Sequence, residues 1–206
     1  MAGGRKKAFD KNQALDAAMR VFWQKGYASA SLSELTEAMG INKPSLYASF
    51  GNKEALFIQA TEHYVKTVAA KHGQFLHDSS LSLRERLRLF LRSVIEQQCH
   101  HDAPKGCYIA LCAAENESQE LPEPARQKIL EVSNLSYDSL YSVLSEDKQA
   151  RAMKLHVQAA DHVNFLLALM FGCASMSRAG KTLSELEPVI EHALAGIGLA
   201  NETAQH

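Results

Sequence analysis

The stretch from Ser31 to Phe50 constrains the fold of this chain most strongly, because it contains two helix starts separated by a helix stop. Ser31 followed three residues later by Glu34 is the capping-box pattern, in which a hydroxyl and a carboxylate satisfy free amides at a helix start. Gly40 supplies the left-handed backbone position that ends helices, and Asn42 is a good cap for a second helix. The stretch therefore predicts two helices joined by a tight turn.

The second helix of this pair, predicted from about Lys43 to Phe50, has two different faces. Leu46 and Phe50 stand at i and i+4 and are expected to face inward. The other side chains combine a cation, hydroxyls, a phenol and a methyl: Lys43, Ser45, Tyr47, Ala48 and Ser49. Such a set suits phosphates, base edges and thymine methyls in a major groove. An ordinary helical hairpin has the same periodicity, so the spacing alone leaves both interpretations open.

The charge of the chain is unevenly distributed. Residues 1–55 hold eight Lys and Arg against five Asp and Glu, which is +3, so a net charge of −1 leaves −4 for the remainder. Within the basic end, two glycines precede Arg5, Lys6 and Lys7, and this predicts a mobile basic arm at residues 1–9. Such arms enter minor grooves or follow phosphates, although a merely solvated terminus has the same composition.

The rest of the chain has helical periodicity and lacks strand patterning. Beyond the central pair, helices are predicted at about residues 10–25, 53–75, 83–98, 107–116, 122–145, 151–178 and 184–196. We therefore expect an all-α protein of about nine helices, in which a three-helix N-terminal unit is joined to a larger helical domain. The helix that begins near Lys53 connects the two parts.

The last two predicted helices carry patterns suited to self-association. The penultimate helix has a row of small side chains at i, i+4, i+7 and i+11, formed by Ala168, Gly172, Ser175 and Ala179. The last helix has an apolar face formed by Leu186, Ile190, Ala193 and Ile197. Two such helices can pair with their own copies as a four-helix bundle across a two-fold axis, which predicts a homodimer. Packing inside one subunit is the alternative.

Residues 9–57, FDKNQALDAAMRVFWQKGYASASLSELTEAMGINKPSLYASFGNKEALF, resemble the DNA-binding domain of the tetracycline-repressor (TetR) family of bacterial transcriptional regulators. The resemblance rests on the spacing of Ala18 and Phe22 and on the KGY at residues 25–27. It also rests on LSELTEAMG in the first helix of the pair and on SLYASFGNKEAL at the end of the motif. The C-terminal half contains no motif of comparable specificity.

The resemblance implies a helix-turn-helix DNA-binding domain at residues 1–55 and a helical ligand-binding and dimerisation domain at residues 56–206. It also implies a dimer on a roughly palindromic double-stranded operator, released when an inducer binds. The DNA-contacting positions of the family fall on Ser31, Lys43, Pro44, Ser45, Tyr47 and Lys53, with Arg5 in the arm. Lys6 stands where part of the family has proline. A helical protein-interaction module is the alternative, and a steep salt dependence of duplex binding would exclude it.

Cys107 is the main candidate for sensing, because it begins a predicted helix directly after a turn. The helix start and the adjacent Lys105 would both stabilise a thiolate, which predicts a lowered pKa and a sensor of oxidants or electrophiles. A small buried side chain is the alternative for Cys107. Four further residues are ligand candidates, on the connecting helix and on the apolar penultimate one: Tyr64, Asp161, Asn164 and Phe165. Asp161 and Asn164, at i and i+3, could instead hold the register of a dimer. The inducer is thus an unknown small molecule or reactive species.

Several other classes of function are not expected. Cys99, His100 and His101 with Cys107 have ligand types that suit zinc or copper, but adjacent helical side chains diverge by about 100°, so we predict no metal site and no cofactor. The chain has no phosphate loop, nucleophile elbow or H-E-x-x-H motif, so we do not expect an enzyme. Its longest apolar run, residues 165–174, is half of the roughly 20 residues that span a bilayer, which predicts a cytoplasmic protein without a membrane partner.

Overall fold

The computed structural model describes residues 9–115 and 120–200, and these residues form helices and their connections. Arg5 and residues 1–8 of the predicted basic arm lie outside the described residues. The helices are α1 Lys11–Ser29, α2 Leu32–Ala38, α3 Lys43–Phe50, α4 Lys53–Tyr64, α5 Ala70–Gly73, α6 Leu83–Cys99, α7 Tyr108–Ala114, α8 Glu123–Glu146, α9 Lys148–Ala152, α10 Ala159–Arg178 and α11 Leu183–Gly196.

A π-helical turn, Val65–Ala69, joins α4 to α5, and a 3-10 turn, Gln74–His77, follows α5. Residues 53–77 are thus one continuous helical run. If that run is counted as one helix, the described residues form ten helices, and the predicted all-α class is confirmed.

The helix starts predicted from local sequence are confirmed. Ser31 and Glu34 form the complete capping box of α2. The side chain of Asn42 accepts a hydrogen bond of 2.9 Å from the amide of Ser45 at the start of α3. Asn52 caps α4 in the same manner. Each of these pairs spans three residues, which is why the sequence alone predicts them.

The buried side chains form two clusters. The N-terminal cluster comprises the inner faces of α1 to α4 together with Tyr108, Cys112, Leu121, Ala125 and Ile129. The C-terminal cluster draws on α6, α8, α10 and α11. The first cluster thus continues past residue 55 along α4 and includes α7, so the core that supports the helix pair extends into the second part of the chain. The division at residues 55 and 56 stays a prediction.

The two helices predicted to dimerise differ in which face they expose. Ala168, Gly172 and Ser175 of α10 are exposed, as is Ala179 directly after it. In contrast, the apolar face of α11 is buried inside the subunit, where the helix packs against α6: Leu186, Ile190, Ala193 and Ile197. The assignment of these four α11 side chains to a dimer interface is therefore corrected, because the core of their own subunit already covers them.

The predicted single helix over residues 151–178 is wrong. Helix α9 ends at Ala152, and Lys154 then adopts a left-handed conformation with φ of 61°. A 3-10 turn, Leu155–Gln158, precedes α10. Residues with a side chain rarely adopt positive φ, and no glycine or proline marks the break, so local sequence signals do not reveal it.

One helical segment of the described residues, Leu155–Arg178, is long and apolar enough to cross a membrane by length and composition. The core helix of a globular protein meets the same criterion. Here Val163, Leu166 and Met170 of this segment are buried in the C-terminal cluster, and α10 packs against α6 and α8.

Candidate DNA-reading surface and sensing cavity

The outer face of α3, which we define as Lys43, Pro44, Tyr47 and Ala48, is exposed. Tyr47 has 52% of its surface accessible, whereas Leu46 and Phe50 on the opposite face are buried. Ser45 is half-buried. The structure therefore presents the predicted groove-facing residues together on one short, capped helix.

Ser31 lies at the exposed start of α2, but its hydroxyl is already engaged. It accepts a hydrogen bond from the amide of Glu34 and donates one of 2.8 Å to the Glu34 carboxylate. Glu34 also forms an ion pair with Lys25, and that contact together with the Ser31 hydrogen bonds lowers the pKa of the carboxyl group to about 2. The Ser31 side chain thus stabilises α2 in addition to any contact it makes with DNA.

Lys53 turns towards the protein. Its Nζ lies 4.5 Å from the centroid of the Tyr27 ring and donates a hydrogen bond of 3.4 Å to the carbonyl of Ala28. Partial burial lowers the pKa of the amine, while the nearby carboxylates of Glu115 and Glu120 oppose that shift. The amine of Lys53 is thus engaged within the N-terminal part of the protein.

Helix α1 breaks at Gly26, as the glycine predicts. The residues directly after this break contact Glu115 in the second part of the chain. Gly26 has φ of 77° and ψ of −179°, a conformation that glycine adopts almost exclusively. The amides of Tyr27 and Ala28 donate hydrogen bonds of 2.6 and 3.2 Å to the carboxylate of Glu115, directly after α7. A Cβ on Gly26 would lie 2.4 Å from an oxygen of Glu115, so the carboxylate that holds these two amides would have to move to admit a side chain there.

Two further contacts attach α7 and α10 to the N-terminal part. The Arg178 guanidinium donates a hydrogen bond of 3.2 Å to the carbonyl of Trp23 and also packs closely against Gly106. The buried Tyr108 hydroxyl lies 2.7 Å from the hydroxyl of Thr61 on α4. Helix α7 is therefore held between α1, α4 and the C-terminal bundle.

A cavity of about 80 Å³ lies where these elements meet. Its wall is mainly apolar and comes from α1, the 53–77 run, α6, α7 with the loop before it, α8 and α10. The lining residues are Trp23, Tyr64, Ala69, His72, Phe90, Val94, Gln97, Gln98, Gly106, Cys107, Ile109, Val132, Ser133, Leu135, Ser136, Leu167, Met170 and Phe171. A more open slot of about 210 Å³ adjoins it between residues 65–73 and α8, and shares Ala69, Phe90, Leu135 and Ser136 with the cavity wall.

The structure separates the predicted sensing residues into two groups. Tyr64 and Cys107 line the cavity. Asp161, Asn164 and Phe165 lie exposed on the outer side of α10 and are not part of the cavity wall, so this cavity does not support them as ligand residues. The alternative for Asp161 and Asn164, a role in the register of a dimer, stays a prediction. Helical periodicity shows that two residues share a face, but the neighbouring helices decide whether that face turns inward.

The predicted activation of Cys107 is not what the structure supports. Burial raises the pKa of the Cys107 thiol, and the nearby amides of α7, Tyr64 and Arg178 offset this only in part. Lys105 is exposed, and its charge acts on the thiol of Cys99. Cys107 therefore lines the cavity as a protonated thiol at neutral pH.

Sequence reasoning missed three residues that distinguish the cavity. Trp23 Nε1, Gln98 Oε1 and Ser133 Oγ are buried without a hydrogen-bond partner among the described residues, and all three residues line this cavity. One of them carried a readable signal, because Gln98 continues the apolar stripe of α6 at i+3 from Ile95 and i+7 from Leu91. The position of Ser133 gave no such signal.

The histidine-rich turn after α6 does not assemble the thiol and imidazole set considered from the sequence. The ligand atoms of His100, His101 and Asp102 lie within 4.8 Å of one another at the exposed surface. Cys99 and Cys107 are not members of this group, and exposed groups of this kind are common without a bound ion.

A capped helix pair with a polar outer face, attached to a helical domain with an internal cavity, defines a helix-turn-helix transcriptional regulator. Residues 14–60 match the family model for bacterial regulatory proteins of the tetR family, and residues 84–193 match that for the tetracyclin repressor-like C-terminal domain. The chain belongs to the tetR family and is a DNA-binding transcriptional regulator.

Two curated relatives from Escherichia coli cover most of the chain. The HTH-type transcriptional repressor ComR is 30% identical over 185 residues, which are 89% of this chain and 86% of ComR. The HTH-type transcriptional repressor BdcR is 28% identical over 184 residues, again 89% of this chain and 86% of the relative.

A solved structure of high similarity contains DNA. It is a cysteine-substituted form of the TetR family regulator CifR in complex with 26-base-pair operator DNA. The CifR chain is 31% identical to this chain and superposes on it with a TM-score of 0.83. The match covers 93% of this chain and 98% of the CifR chain. The reduced form of NemR from Escherichia coli, at 21% identity and a TM-score of 0.70 over 94% of this chain and 97% of that one, shares the fold.

Proposed function

We propose that this protein is a cytoplasmic, homodimeric repressor that binds a palindromic operator and releases it when a small molecule occupies the cavity. The observation that carries the proposal is the composition of the cavity wall. Trp23 belongs to α1 of the DNA-reading part, yet it lines the same cavity as Cys107, Gln98 and Ser133. The repressor relatives ComR and BdcR support repression as the direction of regulation.

In this proposal the outer face of α3 enters the major groove. Lys43, Ser45 and Tyr47 supply a cation, a hydroxyl and a phenol, while Pro44 adds an apolar contact. Tyr47 and Lys53 contact phosphates, with Lys53 turning away from Tyr27 as DNA binds. The binding of operator DNA by the relative CifR supports this assignment.

The dimer forms through the exposed face of α10. Small side chains at Ala168, Gly172 and Ser175 let a second copy of the helix approach closely, and exposed aromatic or thioether groups flank them: Phe165, Phe171 and Met176. A two-fold pairing on this face brings two α3 helices to two half-sites of one operator.

The signal travels through α7. Cys107 at the start of α7 lines the cavity, and Glu115 directly after its end holds the amides of Tyr27 and Ala28. A molecule that widens the cavity displaces Trp23 or α7, and either movement shifts the end of α1 relative to the bundle. A ligand held by contacts fits this cavity better than a reaction at Cys107, because burial raises the pKa of that thiol.

Filling the cavity by mutation tests the proposal without knowledge of the inducer. Ser133→Phe places a ring in the cavity, and Ser142→Phe places the same ring at an exposed position of the same helix. Using full-length protein and a duplex selected from random sequence by wild type, we expect Ser133→Phe to lower operator affinity by about tenfold or more, and Ser142→Phe to leave it unchanged.

Sedimentation and thermal unfolding of the same samples confirm that both variants remain folded dimers. Wild-type affinity in a folded, dimeric Ser133→Phe protein contradicts the coupling between cavity and operator. Loss of binding by both variants contradicts its specificity for the cavity.

A further inference from the structure

We propose that the cavity binds a small, uncharged, single-ring molecule that carries a hydroxyl or an equivalent group able to accept and donate hydrogen bonds. This inference rests on the proposed function only in taking the cavity as the ligand site, and it concerns the chemistry of the ligand rather than the release of DNA.

The cavity wall is electrically neutral. None of its lining residues is Asp, Glu, Lys or Arg. Burial raises the pKa of Tyr64 and Cys107, and burial together with nearby Lys71 lowers the pKa of His72 to about 4, so all three are uncharged near pH 7. An ion placed here loses its hydration and finds no counter-charge on the wall, which strongly favours an uncharged ligand.

Three residues of this apolar wall each have one buried polar atom that lacks a hydrogen-bond partner in the described part of the chain: Trp23, Gln98 and Ser133. Only 2% of the surface of Trp23 and 3% of that of Gln98 is accessible to solvent. The Gln98 amide donates a hydrogen bond of 3.3 Å from Nε2 to the carbonyl of Met170, which orients the amide and leaves Oε1 as an acceptor. The wall therefore offers an indole donor, an amide acceptor and the Ser133 hydroxyl, which can do either.

Buried polar groups without partners are rare and costly, so three around one cavity point to recognition of a polar group on the ligand. A hydroxyl group complements this set, because its oxygen accepts from an N–H donor such as the indole and its proton is donated to an acceptor such as the amide oxygen. The cavity of about 80 Å³ limits the rest of the molecule to about one ring, and the adjoining slot beside Leu135 and Ser136 accommodates a short substituent.

A series of four probes built on one ring tests this assignment. Trp23 is the single tryptophan of the chain, so its fluorescence reports directly on the cavity. We expect benzyl alcohol to bind the full-length protein about tenfold or more tightly than toluene, and benzoate and benzylammonium to give no saturable change at the same concentrations. Benzyl alcohol should also shift the emission to the red through a hydrogen bond to the indole.

A second step locates the hydrogen bond. Gln98→Met removes the acceptor while keeping the length of the side chain, and should reduce the preference for benzyl alcohol over toluene to within about threefold. Gln127→Met, at an exposed position of α8, should leave the preference intact. If Gln98→Met does not fold, Ser133→Ala replaces it. This variant should bind benzyl alcohol more weakly than wild type does, with the affinity for toluene unchanged.

The outcomes are distinct from those that test operator release. Toluene binding as tightly as benzyl alcohol overturns the hydrogen-bonding part, and tight binding of benzoate or benzylammonium overturns neutrality. Failure of all four probes to bind overturns the single-ring assignment. In each case a reduced operator affinity of Ser133→Phe still supports regulation through the cavity.

Discussion

The helix pair α2 and α3 and the internal cavity differ in whether their buried polar groups have hydrogen-bond partners. Between Ser31 and Phe57, the starts of α2, α3 and α4 are capped by side chains, and no buried side-chain nitrogen or oxygen lacks a partner. The three such atoms among the described residues all belong to residues of the cavity wall. The polar groups of the helix pair are satisfied within the protein, whereas in our proposal the unpartnered groups of the cavity wall form hydrogen bonds with a ligand.

Trp23 connects the two regions, because it lies on α1, which packs against α2 and α4, and it also lines the cavity. The Trp23 ring packs edge-on against that of Tyr64, with 5.3 Å between the ring centroids, and also contacts the Tyr108 ring. The Trp23 carbonyl accepts a hydrogen bond from the Arg178 guanidinium. A change in the cavity therefore reaches α1 through direct contacts.

The largest effect is expected from Gly172→Arg, which places a charged side chain in the proposed dimer face of α10. The variant should sediment as a monomer at micromolar concentration, and its operator affinity should fall by about 10²- to 10⁴-fold, because each subunit then binds its half-site alone. Ala152→Arg introduces the same side chain at an exposed position of α9 and should leave both properties unchanged. A dimeric Gly172→Arg protein would contradict the proposed face.

A slightly smaller effect is expected from Tyr47→Ala on the outer face of α3. Loss of one hydrogen bond to a charged phosphate in each of two half-sites should lower operator affinity by about a hundredfold, with the fold intact. Fluorescence anisotropy with a labelled duplex measures the change. Tyr141→Ala removes a similarly exposed phenol from α8 and serves as the control. Equal affinities for the two variants would remove Tyr47 from the reading surface.

The connection between the regions is tested by a pair of glycines. Gly26→Ala should destabilise the protein by about 3 kcal/mol, because a non-glycine residue is strained there and the new methyl meets Glu115. Gly40 also has positive φ, but nothing lies within 4 Å of a Cβ added there. Gly40→Ala should therefore lower the free energy of unfolding by only about 1 kcal/mol. Urea unfolding measures both losses.

Glu115→Ala in the Gly26→Ala background separates the backbone strain at residue 26 from the steric clash of the new methyl group with the Glu115 carboxylate. Removal of the carboxylate should restore part of the loss at Gly26, and the coupling energy of the double-mutant cycle gives its size. Additive effects of the two substitutions would mean that the carboxylate does not press on the α1 break.

The smallest effect concerns pH. The pKa of His72 is lowered from 6.5 to about 4 by burial and by Lys71, so the unfolded chain binds a proton in a range where the folded protein does not. The stability that depends on a neutral His72 is fully present above pH 6.5 and is lost as the pH falls towards 4. The free energy of unfolding should therefore be about 2 kcal/mol lower at pH 5 than at pH 7. His72→Gln should flatten the pH dependence of unfolding, whereas the exposed His192→Gln should not. Parallel pH profiles for all three proteins would contradict the assignment.

The sequence by itself determined the features that depend on neighbours along the chain. The capping box of Ser31 and Glu34, the Asn42 cap and the break at Gly26 each involve residues within one helical turn, so their physical causes are visible in the sequence. For the same reason the outward position of Tyr47 on α3 followed from the inward position of Leu46 and Phe50. The family resemblance rests on this part of the chain.

Only the tertiary structure decided which faces the remaining helices bury. The apolar face of α11 turns inward because α6 lies beside it, and Asp161 and Asn164 turn outward because α6 and α8 cover the other side of α10. The same limit applies to the cavity, where Trp23, Gln98 and Ser133 meet from three helices, and to Glu115, which caps amides 87 and 88 residues earlier. Such contacts depend on how helices pack across long sequence separations, and local periodicity carries no information about that packing.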